Sequence, residues 1–352
     1  MNTFKAPYLS YIIASRNDDY GIALLRSLQV SINGFIEQCD KYRLDAELIF
    51  VEWNSVDDNA RISARIRWPR SSYCSVRVID VPHALHERFA HSGRYNFHAA
   101  CAVNCGIRRS RGAFVLPGTC DHLFSAPLIE YIAERKLKDD CIYRIDVSEV
   151  DRGVLEKETL LDQLAFCSSH VVKVFNGSEP VMNGWPALHR GMPGDFQLMS
   201  RSCWFKLHGY REEDITSWYV DNFLSSCAYA ADIQEIVLEP PMYLYHIRHE
   251  LRIQRQGWRV RTTLLERFVK SRFVHPKLRE RIFNIGLYWC FADGRKLVWV
   301  SGVPLRNAFF WAHRLERGII EKKRSFVIND DSWGLSDAEL SEKYLRRADW
   351  EQ

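Results

Sequence analysis

No stretch of about 18 consecutive apolar residues occurs in this chain, so no membrane-spanning helix is expected. The opening residues, M-N-T-F-K-A-P-Y-L-S, lack the apolar core of a secretory signal. None of the ten cysteines forms a C-x-x-C pair, and Cys101 and Cys105 stand four apart in a helical pattern. Reduced thiols packed as small apolar groups are therefore expected, in a cytoplasmic protein. His83, His86 and His91 have a spacing that fits no standard zinc site and has no cysteine partner, which argues against zinc. There is no internal repeat and no low-complexity tract, which removes the solenoid and disordered classes.

What is present suits a well-filled interior. The 352 residues are 47% hydrophobic and 13% aromatic, enough for one large or two moderate domains. Charge is uneven along the chain. Residues 251–352 hold about 21 Lys/Arg against about 12 Asp/Glu, a net of about +9, while residues 1–250 carry about −5. The expected division is a domain over 1–250 and a basic extension, dense in Arg, Trp and Phe, over 251–352.

Strand-like runs at 8–15, 46–53, 76–81, 113–116 and 141–147 alternate with helical spacing at 20–38, 96–110 and 128–137. This alternation predicts βαβ units, hence an α/β fold with a mixed, mainly parallel sheet flanked by helices. Residues 148–193 are interrupted by glycines and prolines and read as a binding loop over the sheet. Further strands are expected at 194–199, 233–238 and 243–247, with a helix at 217–231. Beyond His249, helices are expected over 259–273, 276–291, 304–320 and 337–347.

Polar groups fall just past the predicted strands: Ser15-Arg16-Asn17-Asp18, Glu52-Trp53-Asn54, Asp121 and Asp146. Asp and Asn favour turns anywhere. In a parallel sheet, however, such ends share one edge, and ligands bind there. Asn104–Ser125 is the centre of the pattern. It contains a helix end with Arg108, Arg109 and Arg111, a stop at Gly112, a short apolar strand, and Asp121 in the loop beyond. A carboxylate close to several arginines suits a metal and a phosphate held together.

This order of features resembles the bacterial GT-A glycosyltransferases of the family-2-like type. The residues that carry the resemblance are A-S-R-N-D after the first strand, E-L-I-F-V-E-W-N at the second, and N-x-G-I-R-R-x-R-G-x-F-V-L leading to Asp121. They continue in G-D-F-Q-L-M-S-R-x-x-W, G-Y-R-E, V-D-N-F-L and Y-H-I-R-H, so that about residues 8–250 are covered. The resemblance implies a GT-A (Rossmann-like) fold and transfer of a sugar from a nucleotide-sugar donor, UDP- or GDP-linked, to a hydroxyl acceptor on a glycan, a lipid carrier or a small molecule. It implies metal assistance and, through in-line attack, inversion of the anomeric centre. Ser15, Arg16, Asn17 and Glu52 would hold the base and ribose, and Asn104 and Arg108 would line the diphosphate. Asp121 and His246 would hold Mn²⁺ or Mg²⁺, with His249 as an alternative ligand; imidazole favours Mn²⁺. Asp221 would take the proton of the acceptor hydroxyl, and Asp195 and Trp218 would bind the acceptor. Two positions depart from the pattern. Thr119 stands where the D-x-D metal motif has its first acid, and Val220 stands where an acid usually precedes the base.

The extension has two readings: a helical subdomain with basic faces, or helices lying on the inner face of an anionic membrane. Its segment 327–336, which contains N-D-D-S-W-G-L, is expected to fold over the catalytic edge. Two other classes fit less well. A sugar nucleotidyltransferase needs a Gly-rich G-x-G-T-R-type loop after the first strand, where A-S-R-N-D-D-Y-G stands. A nucleic-acid binder would account for the basic extension but not for the acidic first 250 residues, so no nucleic-acid partner is expected.

Overall fold

A computed structural model describes residues 6–17, 24–55, 61–89, 92, 96–177, 185–190, 193–212, 220–249, 299–300, 303–304 and 314–345. The first half runs β1 (Leu9–Ser15), α1 (Leu24–Tyr42), β2 (Ala46–Trp53), the short α2 (Ile62–Arg65), β3 (Cys74–Val81), the short α3 (His83–His86), α4 (Ala99–Arg109) and β4 (Phe114–Gly118). Every residue of β2 is buried. Leu48 and Phe50 join one core with Leu28, Ile32 and Phe35 of α1, while Ile49, Val51 and Trp53 join a second with Cys101, Ala102 and Cys105 of α4. A strand covered on both faces reads as an apolar run, which here is Leu48–Val51, set between the buried Glu47 and Glu52. Gly106 lets α4 lie close to the sheet, because a Cβ there would meet Ile12 at 2.5 Å.

Next come β5 (His122–Phe124), α5 (Ala126–Ala133), β6 (Cys141–Ile145), β7 (Val147–Val150), α6 (Leu160–Ser169), β8 (Val171–Phe175), β9 (Leu198–Ser200), α7 (Arg201–Leu207), α8 (Val220–Ala230), β10 (Gln234–Leu238) and β11 (Leu244–Ile247). Two short strands, β12 (Trp299–Val300) and β13 (Val303–Pro304), precede β14 (Ser341–Leu345). The main sheet has the order β10-β6-β9-β4-β1-β2-β3-β14. Within it β3, β2, β1 and β4 are parallel, β9 runs antiparallel between β4 and β6, and β14 is an antiparallel edge strand. This is the mixed, mainly parallel sheet flanked by helices that the sequence implies. The parallel run brings the ends of β1, β2 and β4 to one edge. A second sheet, β5-β11-β7-β8, adjoins it. Its β5–β11 pair sets His122 directly opposite His246.

Two expectations change. The span 148–193 is not all loop: it holds α6, capped by the Thr159 hydroxyl, which accepts from the Asp162 amide, and then β8. Within the segment expected as a last helix over 337–347, Ser341–Leu345 form β14 instead. It pairs with the free edge of β3, where Arg77 bonds Glu342 at 3.0 Å and lies 5.6 Å from the Tyr344 ring centre. The segment 327–336 packs on the main domain. Its contacts are with α4 and the turn after α7. Asn329 donates to His208 and Tyr210 carbonyls, and Trp333 is buried in the α4 core. The helices expected over 259–273 and 276–291 lie outside the described residues, whereas 314–320 are helical. Among the described residues no helix is long and apolar enough to cross a membrane.

Candidate metal and donor site

β4 ends at Gly118, where a Cβ would meet the Tyr11 ring at 2.4 Å. The chain therefore turns tightly over Tyr11 and enters Thr119-Cys120-Asp121. The Asp121 carbonyl accepts from the Ile247 amide at 2.9 Å, which ties this turn to β11. Asp121 Oδ2 then lies 3.5 Å from His246 Nε2 and 3.2 Å from His249 Nε2. These three ligand atoms lie within 4.8 Å of one another. His249, which the sequence offers only as an alternative, stands beside His246 as an equal, two residues beyond the end of β11.

The orientation of His246 is determined by Asp195. Its Nδ1 lies 2.9 Å from Asp195 Oδ2 and, facing a carboxylate that only accepts, carries a hydrogen, which turns Nε2 toward Asp121. Burial disfavours the imidazolium, but the charge of Asp121 and the hydrogen bond and charge of Asp195 outweigh it and push His246 up to about 9. Burial likewise opposes ionisation of Asp195, yet His122 and His246 hold its carboxyl well below the usual range. Asp195 Oδ1 lies 3.7 Å from His122 Nε2. Both oxygens of Asp195, the residue the resemblance assigns to the acceptor, face histidines.

Asp221 opens α8 and touches the same turn. A Cβ on Gly194 would meet its Oδ2 at 2.7 Å, so Asp221 and the Asp195 cluster are next-door neighbours. Burial raises the Asp221 carboxyl, against the pull of backbone amides that include Asn222 at 2.9 Å. Behind it, Gln197 donates to the Asp221 carbonyl at 3.0 Å and accepts from the Tyr210 hydroxyl at 2.8 Å.

At the ends of β1 and β2 the sheet brings Ser15 opposite Glu52. Arg16 Nε donates to the Asn54 carbonyl at 2.8 Å, and Asn17 is buried beside it in sequence. Glu52 is engaged otherwise than expected. Its Oε1 accepts from the Ile62 amide at 2.6 Å, and its Oε2 from the Ser63 hydroxyl and amide, so it caps the start of α2. Trp218 lies outside the described residues. His86 uses both ring nitrogens, accepting from Trp53 at 3.1 Å and meeting the Ser92 carbonyl at 3.2 Å.

Asn104 and Arg108 are not brought to this edge. The Asn104 amide is saturated: it donates to the Tyr210 carbonyl at 2.7 Å and Glu212 at 2.8 Å, and accepts from the Tyr210 amide at 2.8 Å. Arg108 lies over the Trp333 ring, 4.9 Å from its centre. Arg109 donates to the carbonyls of Gly334 and Leu335, both at 2.7 Å, and Arg111 bonds the Tyr344 hydroxyl. All three arginines hold the C-terminal segment. The reason is the direction of α4, whose last turn lies near the starts of the strands; a helix C-terminus is also the end that repels phosphate.

Compared with known proteins, the sequence matches no protein-family model and no curated protein. Among solved structures, the chain is similar to residues 1–349 of TarS from S. aureus in complex with UDP-GlcNAc, with 13% identity, a TM-score of 0.44, and 88% of this chain and 72% of that one covered. It is similar to GalNAc-T7 with UDP, GalNAc and Mn²⁺, with 11% identity, a TM-score of 0.46 and 91% of this chain covered; it spans 54% of that chain. It is also similar to the catalytic domain of Drosophila beta1,4galactosyltransferase 7 in complex with xylobiose, with 9% identity, a TM-score of 0.37, and 66% and 65% covered.

Proposed function

We propose that this protein is a glycosyltransferase that moves a sugar from a nucleotide-sugar to a hydroxyl acceptor with the help of a divalent metal. One observation carries the reading. Asp121, His246 and His249 converge beyond the strand ends, and Asp221 lies against Gly194, whose chain neighbour Asp195 bonds His246. The donor set fits a divalent ion. Ligand atoms sharing an ion at about 2.1 Å stand about 3 Å apart, and the 3.2 and 3.5 Å separations here are close to that. One carboxylate with two imidazoles favours Mn²⁺ over Mg²⁺.

Such an ion would supply charge neutralisation to a departing nucleoside diphosphate. Ser15, Arg16 and Asn17 bind the base and ribose at the neighbouring strand ends. Asp221 accepts the proton of the acceptor hydroxyl as its oxygen attacks the anomeric carbon. The new C–O bond forms as the bond to the diphosphate breaks, which takes the electron pair, and in-line geometry inverts the centre. The acceptor is a glycan, a lipid-linked sugar or a small molecule.

The test is a thermal-shift panel of UDP-, GDP-, dTDP- and CMP-sugars with and without Mn²⁺. One nucleotide should stabilise the chain, and more strongly with Mn²⁺. If none does under any metal condition, the reading fails.

A further inference from the structure

Thr119 occupies the position of a missing acid, and its hydroxyl is placed to do something else. It lies 2.5 Å from Asp121 Oδ1 and 2.8 Å from His122 Nε2. A carboxylate only accepts, so the hydroxyl must donate to Asp121. Its oxygen then accepts from His122 Nε2–H. The other ring nitrogen agrees with this tautomer, because His122 Nδ1 faces the Thr119 amide at 3.4 Å and takes its hydrogen. This tautomer gives one direction from end to end: His122 donates to Thr119, and Thr119 donates to Asp121 Oδ1. With Oδ1 held, Oδ2 is the oxygen left for His246 and His249.

The surroundings hold this chain in place. His122 is fully buried, and its strand pairs with β11, which carries His246. The Tyr11 hydroxyl approaches the Thr119 carbonyl from below at 3.5 Å. His122 also lies 3.7 Å from Asp195, the residue that orients His246. One buried histidine thus stands at the root of both arms that aim ligands at the same point. A second carboxylate at position 119 would repel Asp121 until a cation arrived, whereas a hydroxyl attracts it beforehand.

We propose that Thr119 and His122 are positioning residues that hold Asp121 in its ligand orientation, in place of the missing acid. This rests on the metal reading given above. The test is titration of Mn²⁺ into the full chain without nucleotide, with free Mn²⁺ read by electron paramagnetic resonance. Thr119→Val keeps the shape and removes the hydroxyl; it should weaken Mn²⁺ binding by about 10- to 100-fold, the usual effect of losing a ligand's orienting partner. Thr119→Ser restores the hydroxyl and should return affinity to within about threefold of the unaltered chain by the same argument. Melting temperatures without metal check that each variant folds. If the unaltered chain binds Mn²⁺ and Thr119→Val binds it equally well, this inference is overturned alone. If the unaltered chain binds no Mn²⁺, the metal reading is overturned and this inference falls with it.

Discussion

Gly194 lies against Asp221 so closely that a Cβ would meet the carboxylate Oδ2 at 2.7 Å and its carbon at 3.4 Å. A side chain at position 194 would therefore push the Asp221 carboxylate out of its present place. Gly194→Ala should displace Asp221 while leaving Asp121 and His249 untouched. A misplacement of about 1 Å costs on the order of 100-fold in rate. The expected outcome is a kcat lower by about that factor, with Mn²⁺ affinity within error of the unaltered chain. A normal kcat would show that Asp221 is not held by this contact or is not the base.

The raised Asp221 carboxyl gives a pH signature. Burial holds its proton above the ordinary carboxylate range. A general base works only when deprotonated, so activity should rise with pH through that raised value and level off above it. The measurement is kcat/KM against pH at saturating Mn²⁺. A rate that stays flat down to about pH 4, the ordinary carboxylate value, would remove Asp221 from this role. Asp221→Asn should keep donor binding and lose transfer across the whole range.

Glu212 offers a test of the packing beneath the site. Its Oε1 accepts from Asn104 at 2.8 Å and from the Gly334 amide at 2.9 Å, and burial raises its carboxyl despite both bonds. The sign follows from linkage. The folded chain binds this proton more tightly than the unfolded chain, so ionised Glu212 costs stability above its raised value and costs none below about pH 4.3. Glu212→Gln keeps one oxygen to accept both bonds without the charge. Urea melts should find the variant more stable at neutral pH, with the gain shrinking toward pH 4. A loss of stability at neutral pH would contradict this.

Much of this was legible in the chain. The strands at 8–15 and 46–53 and the helical spacing between them are found where the sequence puts them, and the polar groups past those strands lie at the candidate ligand edge. Asp121 and His246 meet as the motif implied. The approach of His122 and Asp195 to His246 is not legible, because it depends on β5 pairing with β11 and on the turn at 195 meeting them, more than fifty residues away in the chain. No local pattern carries that register. The arginines of α4 misled for a physical reason. Their spacing says that they share a helix end, but only the direction of the helix says which edge of the sheet that end faces. Similarly, the polar pattern at 337–347 favours a helix until the open edge of β3 supplies hydrogen bonds that outweigh local preference.

The arginine assignment leads to the last prediction. Arg108 lies 4.9 Å from the centre of the Trp333 ring and 5.2 Å from that of Phe205, and Trp333 is fully buried between Phe205 and His208. The indole therefore anchors the C-terminal segment to α4 as part of the main core. Removing it as Trp333→Ala should cost about 3–5 kcal/mol of unfolding free energy, the usual loss for a buried aromatic. Arg108→Ala removes only the cation over the rings and should cost about 0.5–2 kcal/mol. The two readings of Arg108 then separate in one measurement. An arginine that grips a diphosphate would weaken donor binding sharply when removed, whereas an arginine that covers Trp333 lowers the melting temperature and leaves donor affinity unchanged. A tenfold or greater loss of donor affinity in Arg108→Ala, with the fold intact, would return this residue to the phosphate side; the stacking geometry predicts the opposite.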